Sequence, residues 1–261
     1  MTEVQARFAK CTVVSIAAVA SASSETAALA IAKRFGSTCR AILVTNEDLV
    51  VSARVTFGHV LDVVTGQWRD LRQVVDVPRS PNRSRQQIQH LSDMARSVGV
   101  EADISVLEAG QALADLKATP RESLLILVQP ADPLARQSRP FTELRHAALS
   151  ARASILFAPP HLPVESNGIL VLAKGEGDPA IILAEQIGRV VGEPVVRAGE
   201  SRLDKLGPIW AAGRARPPTM IVKTRDEQLD DPAIVSRMTL RLGVPILLIE
   251  PEVQQDESVD E

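Results

Sequence analysis

The sequence predicts an α/β fold: a parallel sheet covered by helices on both faces and organised in two successive halves. Short runs rich in Val, Ile and Leu alternate with segments of helical periodicity, the pattern of βα units. Apolar residues make up 45% of the chain, yet they include no tyrosine, five Phe and two Trp, so the core is aliphatic and suits strands buried on both faces. The same order of elements restarts past a proline cluster, and 261 residues suffice for two compact domains or one large one.

The first strand is expected at 12–19. Arg7 and Lys10 ahead of the apolar run 11–20, with Ser21, Ala22 and Ser23 after it, also fit a signal peptide. A strand is preferred because Ser24-Glu25-Thr26 opens an amphipathic helix, 25–35, with Ala28, Ile31, Ala32 and Phe35 on one face. A second strand follows at 40–45. Cys11 and Cys39 fall at the starts of these strands and read as buried free thiols.

Residues 48–77 fit neither half. Val51, Ala53, Val55 and Phe57 alternate, and a Thr65-Gly66 turn precedes Gln67-Trp68, which leaves a β-hairpin and a kinked helical excursion both open. A segment this apolar has to be covered, by its own domain or by a dimer or partner surface. Arg79, Arg83 and Arg85 read as a flexible basic linker to a helix at 84–98, whose buried stripe is Ile88, Leu91, Ala95 and Val98 and which Gly99 ends. Strand 103–107, helix 111–117, strand 124–128, helix 142–151 and strand 154–158 complete the half.

Pro159, Pro160 and Pro163 precede Asn167-Gly168 and separate a first domain, 1–160, from a second, 167–250. Strand 169–173, a glycine turn, helix 180–191, strand 194–198, a helical stretch through Trp210, strand 219–223, helix 232–242 and strand 245–249 make the second domain a shortened copy, one strand and one helix poorer. Residues 250–261 hold six carboxylates and no base, so 251–261 is expected to be a disordered acidic tail.

Ser154-Ile155-Leu156-Phe157-Ala158-Pro159 and Gly243-Val244-Pro245-Ile246-Leu247-Leu248-Ile249 look like the closing strand of the universal stress protein family, once per half. Ile169-Leu170-Val171-Leu172-Ala173-Lys174-Gly175 looks like its opening strand and turn. The chain thus resembles a tandem, degenerate two-domain member of that family over nearly its whole length. The resemblance implies two adenine nucleotide alpha hydrolase-like domains, and a family-type edge-strand pairing that a tandem chain can satisfy internally.

Members of that family that bind ATP carry an acidic residue after the first strand and a G-x2-G-x9-G-S/T motif after the fourth. Here no glycine occurs between Gly110 and Gly168. Thr142 fits the closing Ser/Thr of the motif, but Phe141 stands at its last glycine and the first two are missing. In the second half, 223–231 is acidic and equally glycine-free. Small neutral residues at 19–21 and Lys174 stand at the acidic position. A phosphate cradle of bare amides needs glycine, so the expectation is architecture kept and nucleotide chemistry lost, with no cofactor. ATP enters only if side chains have replaced the cradle.

Two groups offer that replacement. Lys174, Gly175 and Gly177 lie between a strand and a helix that Asp178 and Pro179 begin, and glycine there also suits a simple turn. Arg136, Arg139 and Thr142 occupy the degenerate loop, with Arg145 just beyond; they suit phosphate held by guanidinium groups, or a solvated, salt-bridged loop.

Other classes are excluded by composition. A net charge of −3 and few aromatics argue against nucleic acid, and no apolar run is long enough for a bilayer. His59, His90, His146 and His161 are too scattered for a metal site, and no nucleophile elbow or Walker sequence is present. The reading is a cytoplasmic, non-catalytic stress-response regulator or scaffold that works through a protein partner or homodimer at 48–77. Its rival is a small-molecule or nucleotide sensor using the 174–179 loop.

Overall fold

The structure, a computed structural model, describes residues 8, 10–16, 22–35, 38–45, 59–62, 67–70, 81–162, 168–198, 216–226 and 231–250. In chain order these form β1 (Lys10–Ile16), α1 (Ala22–Phe35), β2 (Thr38–Thr45), β3 (His59–Asp62), β4 (Gln67–Asp70), α2 (Pro81–Val98), β5 (Ala102–Glu108), α3 (Ala109–Lys117), β6 (Ser123–Val128), α4 (Pro133–Gln137), α5 (Arg139–Ser150), β7 (Ser154–Ala158), β8 (Ile169–Leu172), α6 (Pro179–Val191), β9 (Val195–Ala198), β10 (Met220–Thr224), α7 (Pro232–Leu242) and β11 (Ile246–Ile249). The expected helical stretch through Trp210, the tail 251–261, Arg79, and residues 48–58, 63–66 (with the expected Thr65-Gly66 turn) and 71–77 of the apolar excursion lie outside the described residues.

Nine strands make one sheet in the order β5-β2-β1-β6-β7-β11-β10-β8-β9. Neighbours are parallel throughout except at β7 and β11, where Ile246, Leu247 and Leu248 run antiparallel to Phe157, Leu156 and Ile155. The strands of the two halves are therefore continuous, and strand direction reverses once, at that junction. Pro159 and Pro160 follow β7, and 163–167 lies outside the described residues.

Helices cover both faces because both faces of the strands are apolar. Along β6, Leu124, Ile126 and Val128 join the core under α1, α2 and α6, while Leu125 and Leu127 join the core under α3, α5 and α7. Each buried Leu or Ile contributes about 1.5–3 kcal/mol, so this alternation fixes the strand's register. Ala28, Ala32 and Phe35 are buried as expected, as are Leu91 and Ala95, and Gly99 ends α2 with φ 74°. Gly168 has φ 73°, and a Cβ there would lie 2.6 Å from the Pro194 carbonyl oxygen; only glycine lets β8 begin so close to β9.

Three local expectations are corrected. Helix α2 starts at Pro81, so Arg83 and Arg85 belong to it and not to a linker; proline suits a first helical position. Helix α5 starts at Arg139 and not at 142, because the Ser138 hydroxyl accepts the Phe141 N–H at 3.4 Å as an N-cap. Of the two conformations open for the excursion, its described residues 59–62 and 67–70 are strands: β3 and β4 pair antiparallel, Leu61 opposite Trp68, as a sheet of their own.

Cys11 and Cys39 sit side by side on β1 and β2 as free thiols. Burial raises both, Cys39 to about 11 and Cys11 also through its neighbour Cys39. Neither is poised for redox chemistry.

Candidate functional site

Gln129 is the first residue after β6. It is fully buried, and a buried amide requires partners. Its Oε1 accepts the Ser236 hydroxyl at 2.7 Å, and its Nε2 donates to the Ser236 carbonyl at 3.2 Å. Ser236 lies on α7, so the opening position of the first half's loop is bonded to a helix of the second.

Arg225, the first residue after β10, makes the opposite crossing. Helix α5 ends at Ala151 in an extended conformation, so its last carbonyls need partners from elsewhere. The Arg225 guanidinium donates to the Leu149 carbonyl, to the Ala151 carbonyl at 2.7 Å and to Glu250 Oε2 at 2.7 Å. Arg121 lies 3.6 Å from the other Glu250 oxygen. The segments after β6 and after β10 thus each open on a side chain that bonds one half to the other.

The 174–179 loop is filled by its own acid. Asp178, the N-cap of α6, accepts the Lys174 N–H at 2.8 Å, the Ala180 N–H at 3.0 Å and the Thr224 hydroxyl. Burial pushes this carboxyl up, but the bonds from Thr224, Lys174 and Ala180, with the charge of Lys174, hold it below the usual range. Lys174 Nζ pairs with Asp226 Oδ2 at 2.5 Å. A phosphate at this helix start would meet two carboxylates. Gly175 and Gly177 do not have positive φ, and a Cβ on either would meet nothing within 4 Å, so the turn does not require glycine.

The remaining candidates divide. Arg139 pairs with Glu143 at 2.7 Å along α5. Arg136 and Thr142 instead line a cavity of about 710 Å³, together with Pro133, Gln137, Arg145 and, from α7, Arg237 and Arg241. Arg145 stacks over the Phe141 ring at 5.3 Å and donates to the Thr142 hydroxyl at 3.2 Å. Its Nε is buried without a hydrogen-bond partner. Burial lowers the pKa of Arg136 and Arg145, opposed by Asp132 and Asp231 respectively; both stay charged. Sequence reasoning found Arg136, Thr142 and Arg145 and missed Arg237 and Arg241. Their spacing of four on a helix, like charge beside like charge, was the available signal.

The acidic adenosine position of the first half, 19–21, lies outside the described residues. Glu25 on α1 is a buried carboxylate that the sequence did not single out; the Ser15 hydroxyl donates to it at 2.9 Å. Among the described residues no group of three or more His, Cys, Asp or Glu is placed to hold a metal ion, and no helix is long and apolar enough to cross a membrane.

No family model matches the chain, and no curated protein matches it. Solved structures to which it is similar include the cytoplasmic domain of a prokaryotic cation chloride cotransporter, at 10% identity over 92% of this chain and 95% of that one, with a TM-score of 0.47.

Proposed function

We propose that this protein is a cytoplasmic, non-catalytic regulatory or scaffolding module, a tandem relative of the universal stress proteins whose nucleotide positions have become internal fasteners. The observation that carries the reading is the double crossing at the junction, Gln129 to Ser236 and Arg225 to the end of α5. A residue committed to holding the halves together is not available to bind and release phosphate. The filled loop at Asp178 supports the same reading in the second half.

Its partners are proteins, met through the excursion at 48–77 or by pairing with a second copy. Support comes from the hairpin of β3 and β4, a sheet separate from the main one, since two strands alone are marginally stable in water and gain stability by packing on another surface. The test is incubation of purified protein with ATP and magnesium, with analysis of nucleotide released on denaturation and comparison of ATP with GTP. No turnover and no preference for adenine, among released or added nucleotides, are expected. Turnover, or a preference for ATP of about tenfold, 1.4 kcal/mol, would overturn the proposal.

A second reading, a small-molecule sensor at 174–179, rests on one observation: neither backbone conformation nor crowding demands Gly175 or Gly177. Gly177→Val should then fold normally and lose the ligand. A variant that behaves as the parent in nucleotide binding removes this reading.

A further inference from the structure

The groove between α5 and α7 is lined by four guanidinium groups and no carboxylate, with Asp132 and Asp231 near enough to act on Arg136 and Arg145. Arg136 comes from α4, Arg145 from α5, and Arg237 and Arg241 from α7; the other lining residues, Pro133, Gln137, Thr142, Ala233, Ser236 and Leu240, are neutral. Arg237 and Arg241 stand four apart, and like charges at that spacing destabilise a helix, so the folded chain bears a cost that a bound anion would remove. Arg136 and Arg145 are half-buried, which strengthens their attraction for an anion relative to solvated arginine. Arg145 is placed over the Phe141 ring at 5.3 Å. A planar guanidinium fork fits the paired oxygens of a phosphate.

We propose that this groove binds a compact oligophosphate, a ligand presenting two or more linked phosphate groups and recognised through them and not through a base. Four guanidinium groups, two of them partly offset by Asp132 and Asp231, leave a positive excess that an anion of several charges meets better than sulfate. The cavity, about 710 Å³, has the size of small-molecule sites, so a nucleoside di- or triphosphate fits as well as the inorganic chain. No aromatic side chain lines it, and Phe141 is fully buried beneath Arg145, so the site offers no platform on which a base would stack. Every lining residue is on a helix; Ser236, which Gln129 holds, is among them, while the four arginines take no part in that crossing. The two readings fail separately: base-specific binding or ATP turnover would end the one above, and failure to bind oligophosphate ends this one.

The experiment is calorimetric titration of the whole chain, at low salt, with inorganic tripolyphosphate, ATP, GTP and sulfate. The parent, the double variant R237Q/R241Q and the single variant R139Q are compared. Arg237 and Arg241 are exposed, so their loss spares the core, and Arg139 controls for general loss of positive charge from α5. Tripolyphosphate, ATP and GTP should bind with affinities within about threefold of one another, sulfate far more weakly. The double variant should weaken all three by about tenfold or more, and R139Q should leave them nearly unchanged. Absence of tripolyphosphate binding, equal loss in R139Q, undiminished affinity in the double variant, or a tenfold preference for ATP over GTP would each overturn the proposal.

Discussion

Gln129 and Ser236 exchange two hydrogen bonds across 107 residues of sequence, hydroxyl to amide oxygen at 2.7 Å and amide nitrogen to backbone carbonyl at 3.2 Å. Neither side chain has any appreciable exposure. Removing either one leaves a buried polar group without its partner, at a cost of about 1–3 kcal/mol. Gln129→Ala and Ser236→Ala should each lower the unfolding free energy from urea denaturation by that amount, and the double variant should cost less than the sum of the two. Gln129→Gly should lose the same stability.

Arg225→Met keeps the stem and removes the donors. The carbonyls of Leu149 and Ala151 and the carboxylate of Glu250 then lose their partner, in surroundings where the arginine side chain is only 10% exposed. A loss of about 2–4 kcal/mol is expected, read by chemical denaturation, with faster amide exchange at the last turn of α5 as a local signature.

Glu25 predicts a pH dependence. Burial raises its carboxyl above the ordinary range, against the lowering influence of the Ser15 hydroxyl and of His90. The folded chain therefore holds this proton more tightly than the unfolded one. The stability it contributes is complete below the unfolded pKa and is lost as pH rises through the folded value. Glu25→Gln should be more stable than the parent at pH 8 and close to it at pH 4. Denaturation midpoints at the two pH values check the sign.

Asp178 has the opposite sign. Its carboxyl is held low, so its contribution is present above the unfolded pKa and disappears as pH falls through the folded value. At pH 7 Asp178→Ala should cost about 1–2 kcal/mol as a lost N-cap. The difference from the parent should shrink toward acid, as midpoints between pH 7 and pH 2 will show.

Much of the architecture was readable because each signal was local. Short continuous apolar runs located the strands of the main sheet. Asp178 and Pro179 announced the start of α6. The start of α5 was also written in Ser138 and Pro140 but was masked by fitting Thr142 to a motif. The functions of Gln129 and Arg225 could not be read at all. Each depends on a partner more than seventy residues away, and only the meeting of β7 with β11 brings the partners together. The arginine groove is hidden for the same reason, since α4 and α5 supply half of its charge and α7 the rest.

The single reversal of strand direction at β7 and β11 also governs the electric field of the molecule. A doubly wound sheet normally points the positive ends of its helix dipoles at one edge, which draws anions there. Here the helices before the junction present those ends on one edge and the helices after it on the other, so the two sets oppose and neither edge accumulates the full potential. Attraction for anions is then left to charged side chains, and in this chain four of them face one another between α5 and α7.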